Sequence, residues 1–144
     1  MEQGIFEGLA GIRLAMRRFL AFSEGALADT QVTSNQYQAL LIIKTSAGER
    51  VRVRELADQM LMQHHGAVQL VDRLSAAGLA ERIPSDRDKR SVLVQLTTRG
   101  SSVLEELAAR HLRNMLIHEP LLVESLAKLR DLSRSAGADA SDAL

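Results

Sequence analysis

The residues best suited to bind another molecule lie in the middle of the chain. Residues 50 to 100 hold nine basic side chains against six acidic ones, a net charge of +3, although the 144-residue chain as a whole is neutral. Eight of these nine basic residues are arginine. The guanidinium group offers paired donors that match phosphate oxygens and the edge of guanine. By themselves these charges would fit a solvated surface with ordinary ion pairs. Their placement before a helix, on the helix that follows and at the tip of a hairpin favours a nucleic-acid partner contacted by a few placed arginines.

Residues that could do catalytic chemistry form no recognisable site. The chain has no cysteine, which excludes thiol catalysis, disulfides and cysteine-ligated metals. It also lacks a Gly-x-Ser-x-Gly elbow, a phosphate-binding loop and a His-Glu-x-x-His motif. His64 and His65 are adjacent and diverge by about 100° on a helix, while His111 and His118 lie seven residues apart. We expect no enzyme activity, no cofactor and no metal; a small histidine-dependent metalloenzyme is the least favoured alternative.

The pattern of apolar residues predicts a mainly α-helical chain with a small β-hairpin. Apolar residues recur every three or four positions in residues 4–28, in residues 34–44 and after residue 98. Alternation at residues 50–53 suits a very short strand, and two helices follow, at 54–60 and from about 63 to 77. Residues 79–84 and 91–96 alternate as two strands around a charged turn. Pro120 predicts a break between two C-terminal helices.

This order of elements is that of a winged helix-turn-helix. Two short helices followed by a two-stranded hairpin can place the second helix in the major groove of DNA and the hairpin at an adjacent groove. The chain length suits a single domain over residues 1–144. Within it we assign residues 33–100 to a DNA-binding lobe, 1–30 and 101–136 to a helical dimerisation region, and 137–144 to a flexible tail.

Several short motifs resemble those of the MarR family of bacterial regulators. In order, they are Gln36 to Leu41, Glu55-Leu56-Ala57, Val71-Asp72-Arg73-Leu74, Gly78-Leu79, Glu81-Arg82, Asp88-Lys89-Arg90, and Leu96-Thr97 with Gly100. Their order and spacing make the resemblance specific over residues 33 to 107, while the flanking helices agree in length and pattern only. The resemblance implies a homodimeric winged-helix DNA-binding protein, usually a repressor, often released from DNA by a small phenolic or other lipophilic anion.

The second helix of the helix-turn-helix is the expected reader of base sequence. Its spacing turns four apolar residues inward: Ala67, Leu70, Val71 and Leu74. The outward set is Gln63, His64, His65, Gln69 and Arg73. Glutamine and histidine can hydrogen-bond purine edges, and arginine can bind guanine or a phosphate. The family usually carries serine or threonine near the start of this helix, whereas this chain has Gly66 and Val68, which leaves the operator sequence open.

Two further groups of basic residues are expected to contact DNA. The hairpin, or wing, carries Arg87, Lys89 and Arg90. An arginine at the wing tip can enter a narrow minor groove, and Arg87 is the better placed for it, because the resemblance implies that Asp88 and Arg90 brace the wing internally. Arg52 and Arg54, near the start of the third helix, are predicted phosphate contacts.

An effector pocket is implied by the resemblance, between the terminal helices and the DNA-binding lobe. Six residues could line it: Arg13, Arg17, Phe19, Phe22, Tyr37 and His111. The same side chains also fit a simpler interpretation, in which the aromatic residues belong to the core and the arginines are solvated.

The expected partners are double-stranded DNA, a second copy of the chain and, where an effector exists, a small molecule. No apolar run approaches the roughly 18 residues of a membrane span, and the start of the chain shows no secretory signal, so we expect a cytoplasmic protein without a membrane partner. The alternative is a helical dimer that acts through a protein partner with weak or lost DNA binding. Gly66, Val68 and the zero net charge motivate that alternative.

Overall fold

The computed structural model describes residues 1–85 and 92–142. This part of the chain is mainly helical with a small antiparallel sheet, as predicted. The helices are α1 (Gln3–Ala28), α2 (Ser34–Thr45), α3 (Val53–Met60), α4 (His64–Ala76) and α5 (Thr98–Asp142). The strands are β1 (Arg50–Arg52), β2 (Ala80–Pro84) and β3 (Val92–Leu96). None of the described helices combines the length and the apolar character that crossing a membrane requires.

The chain divides into two compact units. The first, here called the sheet unit, is Ala26–Ala109 and contains all three strands with α2, α3 and α4. The second, here called the helical unit, combines Met1–Gly25 with the chain from Arg110 onward, and so consists of most of α1 and most of α5. The lobe assigned from sequence, residues 33–100, falls within the sheet unit. The assignment of DNA binding to this lobe and of dimerisation to the terminal helices stays a prediction.

The core of the sheet unit draws apolar side chains from α2, α3, α4, β1 and β3. Its largest fully buried residues are Leu40, Ile43, Leu56, Leu74, Val51, Val71 and Val94. Helix α2 begins with a capping box: the Gln36 amide donates to the Thr33 hydroxyl at 3.1 Å, and the Thr33 amide donates to the Gln36 side chain at 3.0 Å. These two bonds satisfy amides that have no partner inside the helix, which fixes where α2 starts.

The sheet joins the two helices of the helix-turn-helix. Its strand order is β1-β3-β2, and both pairings are antiparallel. Val94 of the central strand faces Val51 on one side and Arg82 on the other. Because β1 leads into α3 and β2 follows α4, the ladder holds the start of α3 and the end of α4 in register. The short alternation at residues 50–53 is thus a true edge strand.

Gly78 and Gly100 meet where α4 ends and α5 begins. Gly78 has a φ of 73°, in the left-handed region that favours glycine, and is the helix-ending residue predicted from sequence. The Thr97 hydroxyl donates to the Gly78 carbonyl at 2.6 Å and accepts from the Gly100 amide at 2.9 Å. A Cβ atom at Gly100 would lie 1.8 Å from the carbonyl oxygen of Leu79. The Leu-Thr-x-x-Gly motif is therefore a close backbone contact capped by one hydroxyl.

The turn between α3 and α4 carries a leucine where glycine is usual. The Met62 amide donates to the Ala57 carbonyl at 3.1 Å and the Leu61 amide to the Asp58 carbonyl at 3.3 Å, which is the Schellman pattern of a helix end. Leu61 has a φ of 54°. Its side chain is 94% exposed, so no packing inside the described chain compensates for the left-handed backbone.

Substituting Leu61→Gly is expected to raise the free energy of unfolding by roughly 0.5–1 kcal/mol. Removing Cβ relieves about 1–2 kcal/mol of left-handed strain, and the larger entropy of glycine in the unfolded chain offsets part of this gain. Little packing is lost, since the side chain is exposed. Urea denaturation followed by circular dichroism measures the change. Leu61→Ala keeps Cβ and should stay within about 0.5 kcal/mol of the parent; a destabilised glycine variant would contradict the strain argument.

In the helical unit, α1 packs against the C-terminal half of α5 through small residues. A Cβ atom at Gly8 would lie 2.7 Å from the Leu129 side chain, and one at Gly11 would lie 2.2 Å from the Ser125 hydroxyl. The two helices run antiparallel, because later positions on α1 face earlier positions on α5. The Lys128 ammonium also pairs with a carboxylate of α1. The glycines allow a close approach that side chains at the same positions would prevent.

Helix α5 is continuous from Thr98 to Asp142, so the predicted break at Pro120 is wrong. A proline inside a helix removes one hydrogen bond to the carbonyl four residues earlier and costs about 3 kcal/mol or more. The carbonyl concerned belongs to Leu116. Packing against α1 on both sides of Pro120, at His111 and at Leu129, outweighs the local cost. The helix also runs through residues 137–142, and the flexibility assigned to 137–144 stays a prediction.

Candidate nucleic-acid interface

Helix α4 separates buried from exposed residues as its sequence predicts. Its buried side chains are Ala67, Leu70, Val71 and Leu74. The exposed set includes every residue expected to face outward: Gln63, His64, His65, Gln69 and Arg73. Gln63 is the N-cap residue, and its side chain makes no capping bond, so the amide remains available for other partners. The helix thus presents hydrogen-bonding side chains from its first residue to its last turn.

One side of α4 borders a groove rich in arginine. This arginine groove, of about 520 Å³, is lined by Arg52, Val53, Arg54, His64, Val68, Arg82 and Val92. None of these lining residues is acidic. Arg52 and Arg54, predicted as phosphate contacts, are exposed at the start of α3 and lie beside His64. The fold therefore gathers basic side chains that are up to thirty positions apart in sequence, from Arg52 to Arg82, around one groove.

The other side of α4 borders a polar groove at the start of α2. This groove, of about 350 Å³, is lined by Thr33, Ser34, Asn35, Gln36, Met62, Gly66, Gln69, Leu70 and Arg73. The N-terminus of a helix carries partial positive charge, which suits an anion beside the Arg73 guanidinium. A Cβ atom at Gly66 would meet only the Met62 sulfur, at 3.8 Å, so packing does not require glycine there. Gly66 and Val68 thus line the two grooves that flank α4.

Arg82 is a basic residue of this surface that the sequence interpretation did not single out. It lies on β2, and its Nη2 atom is 2.5 Å from Oδ1 of Asp72 on α4. On the opposite face of the same strand, the Gln95 amide donates to the Glu81 carboxylate at 2.7 Å. Sequence alternation could have separated these two faces. It could not show that Arg82 reaches the helix, because that contact depends on how the sheet packs against α4.

The wing is described only along its two strands. Arg87, Asp88, Lys89 and Arg90 lie outside the described residues. The entry of Arg87 into a minor groove, the DNA contacts of Lys89 and Arg90 and the bracing pair of Asp88 with Arg90 therefore stay predictions. Strands β2 and β3 do pair from Pro84 and Val92 to the base of the hairpin, which confirms the two-stranded element that would carry them.

Three residues assigned to an effector pocket come together in the helical unit. The His111 ring makes edge contacts with Phe19 and Phe22, at centroid distances of 6.0 and 5.8 Å. The buried His111 Nε2 atom lies 2.8 Å from the Ser23 hydroxyl. These four side chains pack directly on one another, which is the arrangement of an interior cluster. Their role in binding an effector stays a prediction.

The other three residues assigned to the pocket are not part of this cluster. Arg13 and Arg17 are exposed on α1. Tyr37 belongs to the core of the sheet unit, and burial raises the pKa of its phenol above the ordinary value, which keeps the hydroxyl protonated at neutral pH. Among the described residues, no three histidine or acidic side chains are grouped as a metal site would need.

Comparison with known proteins finds similarity to the MarR family. A model of the MarR family matches residues 30–91, which span α2 to the wing. The multiple antibiotic resistance protein MarR of Escherichia coli is 32% identical over 80 residues, covering 56% of this chain and 54% of that protein. Over this region the chain is similar to the MarR family. The aligned region spans about half the length of the curated MarR relatives that it matches.

Solved structures of MarR proteins share the fold over most of the chain. AbsC, a MarR family transcriptional regulator from Streptomyces coelicolor, aligns with a TM-score of 0.71 at 22% identity, covering 89% of this chain and 88% of that one. A mutant MarR from Escherichia coli in complex with operator DNA aligns with a TM-score of 0.66 at 26% identity, covering 87% and 89%. AbsC is a transcriptional regulator and the Escherichia coli MarR binds operator DNA, which is the regulatory, non-enzymatic class that the sequence predicts for this chain.

Proposed function

We propose that this protein is a member of the MarR family, a cytoplasmic homodimer that represses transcription by binding a pseudo-palindromic operator. The observation that carries the proposal is the exposed polar face of α4, which lies between the arginine groove and the polar groove. A helix that reads base edges needs flanking cations to hold the phosphates on either side of it. The MarR relative with bound operator supports the same use of the fold.

Two residues of α4 are suited to recognise bases. Gln69 and Arg73 are four residues apart, so they lie on the same face of the helix, and both are exposed. Glutamine can bind adenine through two hydrogen bonds and arginine can do the same with guanine, each discriminating by about 1–3 kcal/mol. His65, four residues before Gln69, extends this face, whereas His64 lines the arginine groove. We infer base contacts by Gln69 and Arg73, with Arg52 and Arg54 on the phosphates.

A dimer is supported by the apolar surface of the helical unit. Its exposed large apolar residues are Phe6, Leu9, Leu14, Met16 and Leu20 on α1, and Leu112, Leu116, Ile117, Val123 and Leu126 on α5. Apolar surface of this extent usually marks an interface. A second copy brings the same surface, so one interface covers both. Two copies then address half-sites about one helical turn, roughly 10 bp, apart.

Release from DNA by a small lipophilic or phenolic ligand is the remaining part of the proposal. A cleft of about 240 Å³ in the sheet unit supports it, because the cleft touches the end of α4 directly. Apolar Leu79, Val103 and Leu107 line it together with the charged side chains of Arg99 and Glu106. A ligand seated there would contact the residues that follow α4, and so could bias how that helix is presented to DNA.

The double substitution Gln69→Ala with Arg73→Ala is expected to weaken binding to operator DNA by about 100-fold or more, since each lost bidentate contact is worth about 1–3 kcal/mol. Fluorescence anisotropy with a fragment from the protein's own promoter, at several salt concentrations, measures the effect. Adding Arg87→Ala at the wing should weaken binding further.

The control is Arg134→Ala, which removes an exposed arginine of α5 that lines neither groove nor the cleft. It should change affinity by less than about threefold. If the Gln69/Arg73 variant binds operator DNA as tightly as the parent, these two residues of α4 do not recognise the base sequence. A stable dimer without DNA affinity even at low salt would favour the alternative of a protein partner.

A further inference from the structure

We infer that Arg82 is a DNA phosphate contact and that Asp72 positions it, an inference that rests on the proposed function. Arg82 lies on β2, next to the wing, and its guanidinium reaches both α4 and the arginine groove. No sequence motif assigns it this role, because the strand position alone does not show where the side chain goes.

The ion pair fixes the guanidinium without using up its donors. The contact to Asp72 involves one nitrogen, Nη2, at 2.5 Å. A guanidinium carries five N–H donors in a rigid plane, so most of them remain for a second partner. The Arg82 side chain is 34% exposed and that of Asp72 58% exposed, so a ligand can reach both.

The remaining donors face a surface that attracts anions. Arg82 lines the arginine groove together with Arg52, Arg54 and His64, and no acidic residue lines it. Three guanidinium groups around one groove repel one another unless an anion lies between them. A phosphodiester is the anion that a DNA duplex would bring to this position, because the groove borders the helix proposed to enter the major groove.

Because Asp72 makes the pair neutral, bulk charge and a positioned contact predict different effects on DNA binding. Asp72 lies beside Arg73 on the exposed side of α4, where an unpaired carboxylate would repel the DNA backbone. Pairing with Arg82 neutralises that charge and at the same time holds the guanidinium towards the groove. The pair has no net charge, so bulk electrostatics predicts no contribution from it. A positioned phosphate contact predicts a definite one.

The decisive experiment uses a double variant with the same net charge as the parent. Asp72→Asn with Arg82→Gln removes the pair and leaves the total charge unchanged. Binding of the promoter fragment is measured by anisotropy between about 50 and 200 mM KCl, where each phosphate contact contributes about 0.9 to the slope of log K against log salt. We expect about tenfold weaker binding at the lower salt and a slope smaller in magnitude by about 0.9.

Two single variants separate positioning from charge. Asp72→Asn removes one negative charge from the DNA-facing surface. Bulk electrostatics therefore predicts tighter binding by this variant, whereas loss of positioning predicts weaker binding. Arg82→Lys keeps the charge but loses the planar donors, and should fall between the parent and Arg82→Gln. Arg134→Gln, the control, removes a positive charge from an exposed position in the C-terminal half of α5 and should leave the salt slope unchanged.

The outcomes distinguish this inference from the function on which it rests. If the parent binds DNA and the double variant keeps both its affinity and its salt slope, Arg82 touches no phosphate and the inference is overturned while the proposed function stands. Tighter binding by Asp72→Asn would overturn the positioning role. Absence of DNA binding by the parent itself would overturn both. Unchanged thermal melting of each variant shows that the differences arise at the DNA and not from unfolding.

Discussion

Replacing Gly100 with alanine is expected to lower the free energy of unfolding by about 3 kcal/mol or more, beyond what most single substitutions cost. The added Cβ would lie 1.8 Å from the Leu79 carbonyl oxygen and 2.8 Å from its carbonyl carbon. These are backbone atoms at the turn that ends α4, so no side-chain rotation can relieve the clash. The start of α5 must move away from this turn, which also breaks the Thr97 bonds to Gly78 and Gly100.

Urea denaturation of the two proteins, with equal slopes against denaturant, measures the loss. The control is Gly66→Ala, in the first turn of α4, where a Cβ meets only the Met62 sulfur at 3.8 Å. That variant should be as stable as the parent or more stable by up to about 1 kcal/mol, because alanine favours a helix over glycine. A Gly100→Ala protein within about 0.5 kcal/mol of the parent would show that the contact between the α4 turn and α5 is not tight.

Replacing Ile117 with aspartate is expected to convert the proposed dimer to monomers. Ile117 is 71% exposed in the single chain and lies beside the exposed Leu116 on α5. In a dimer built on this surface, the substitution buries an unpaired carboxylate in each copy, at a cost of about 3–5 kcal/mol per site. The dimer dissociation constant should therefore rise by about 1,000-fold or more. Affinity for a two-half-site operator should fall in parallel, since each monomer holds one half-site.

Sedimentation equilibrium over a range of concentrations measures the dissociation constant directly. Ser102→Asp introduces the same charge at an exposed position in the first turns of α5 and should leave the dimer intact. Ile117→Leu keeps the apolar character and should also remain dimeric. A dimer that persists in the Ile117→Asp protein at micromolar concentration would place the interface elsewhere on the helical unit.

Local patterns in the sequence were sufficient to predict most individual elements. The buried and exposed sides of α4 follow from helical spacing, because residues three and four positions apart share a face. The caps at Thr33 and Gly78 follow from residue chemistry, since a threonine hydroxyl satisfies a free amide and glycine adopts positive φ without strain. The same local reasoning failed at Pro120, where the packing of α5 against α1 overrides the proline's preference.

Contacts between distant residues could not be predicted in this way. The sequence named Arg52, Arg54 and His64 as separate candidates, and only the packing of α3, α4 and β2 shows that they line one groove with Arg82. Gly100 was visible as an early helical glycine, but the reason for it is a carbonyl 21 positions earlier in the chain. The left-handed backbone of Leu61 could not be predicted either, because leucine does not favour a positive φ.

The neutral net charge illustrates the same division. The sequence by itself determined that positive charge is concentrated in residues 50 to 100, carried almost entirely by arginine. The tertiary structure decided which of those arginines act together, because electrostatic attraction depends on distance in space and not on separation along the chain. It also decided that Asp72 neutralises Arg82 locally, which no sum of charges could show. Spacing fixes which side of a helix a residue occupies; packing fixes which residues of different elements become neighbours.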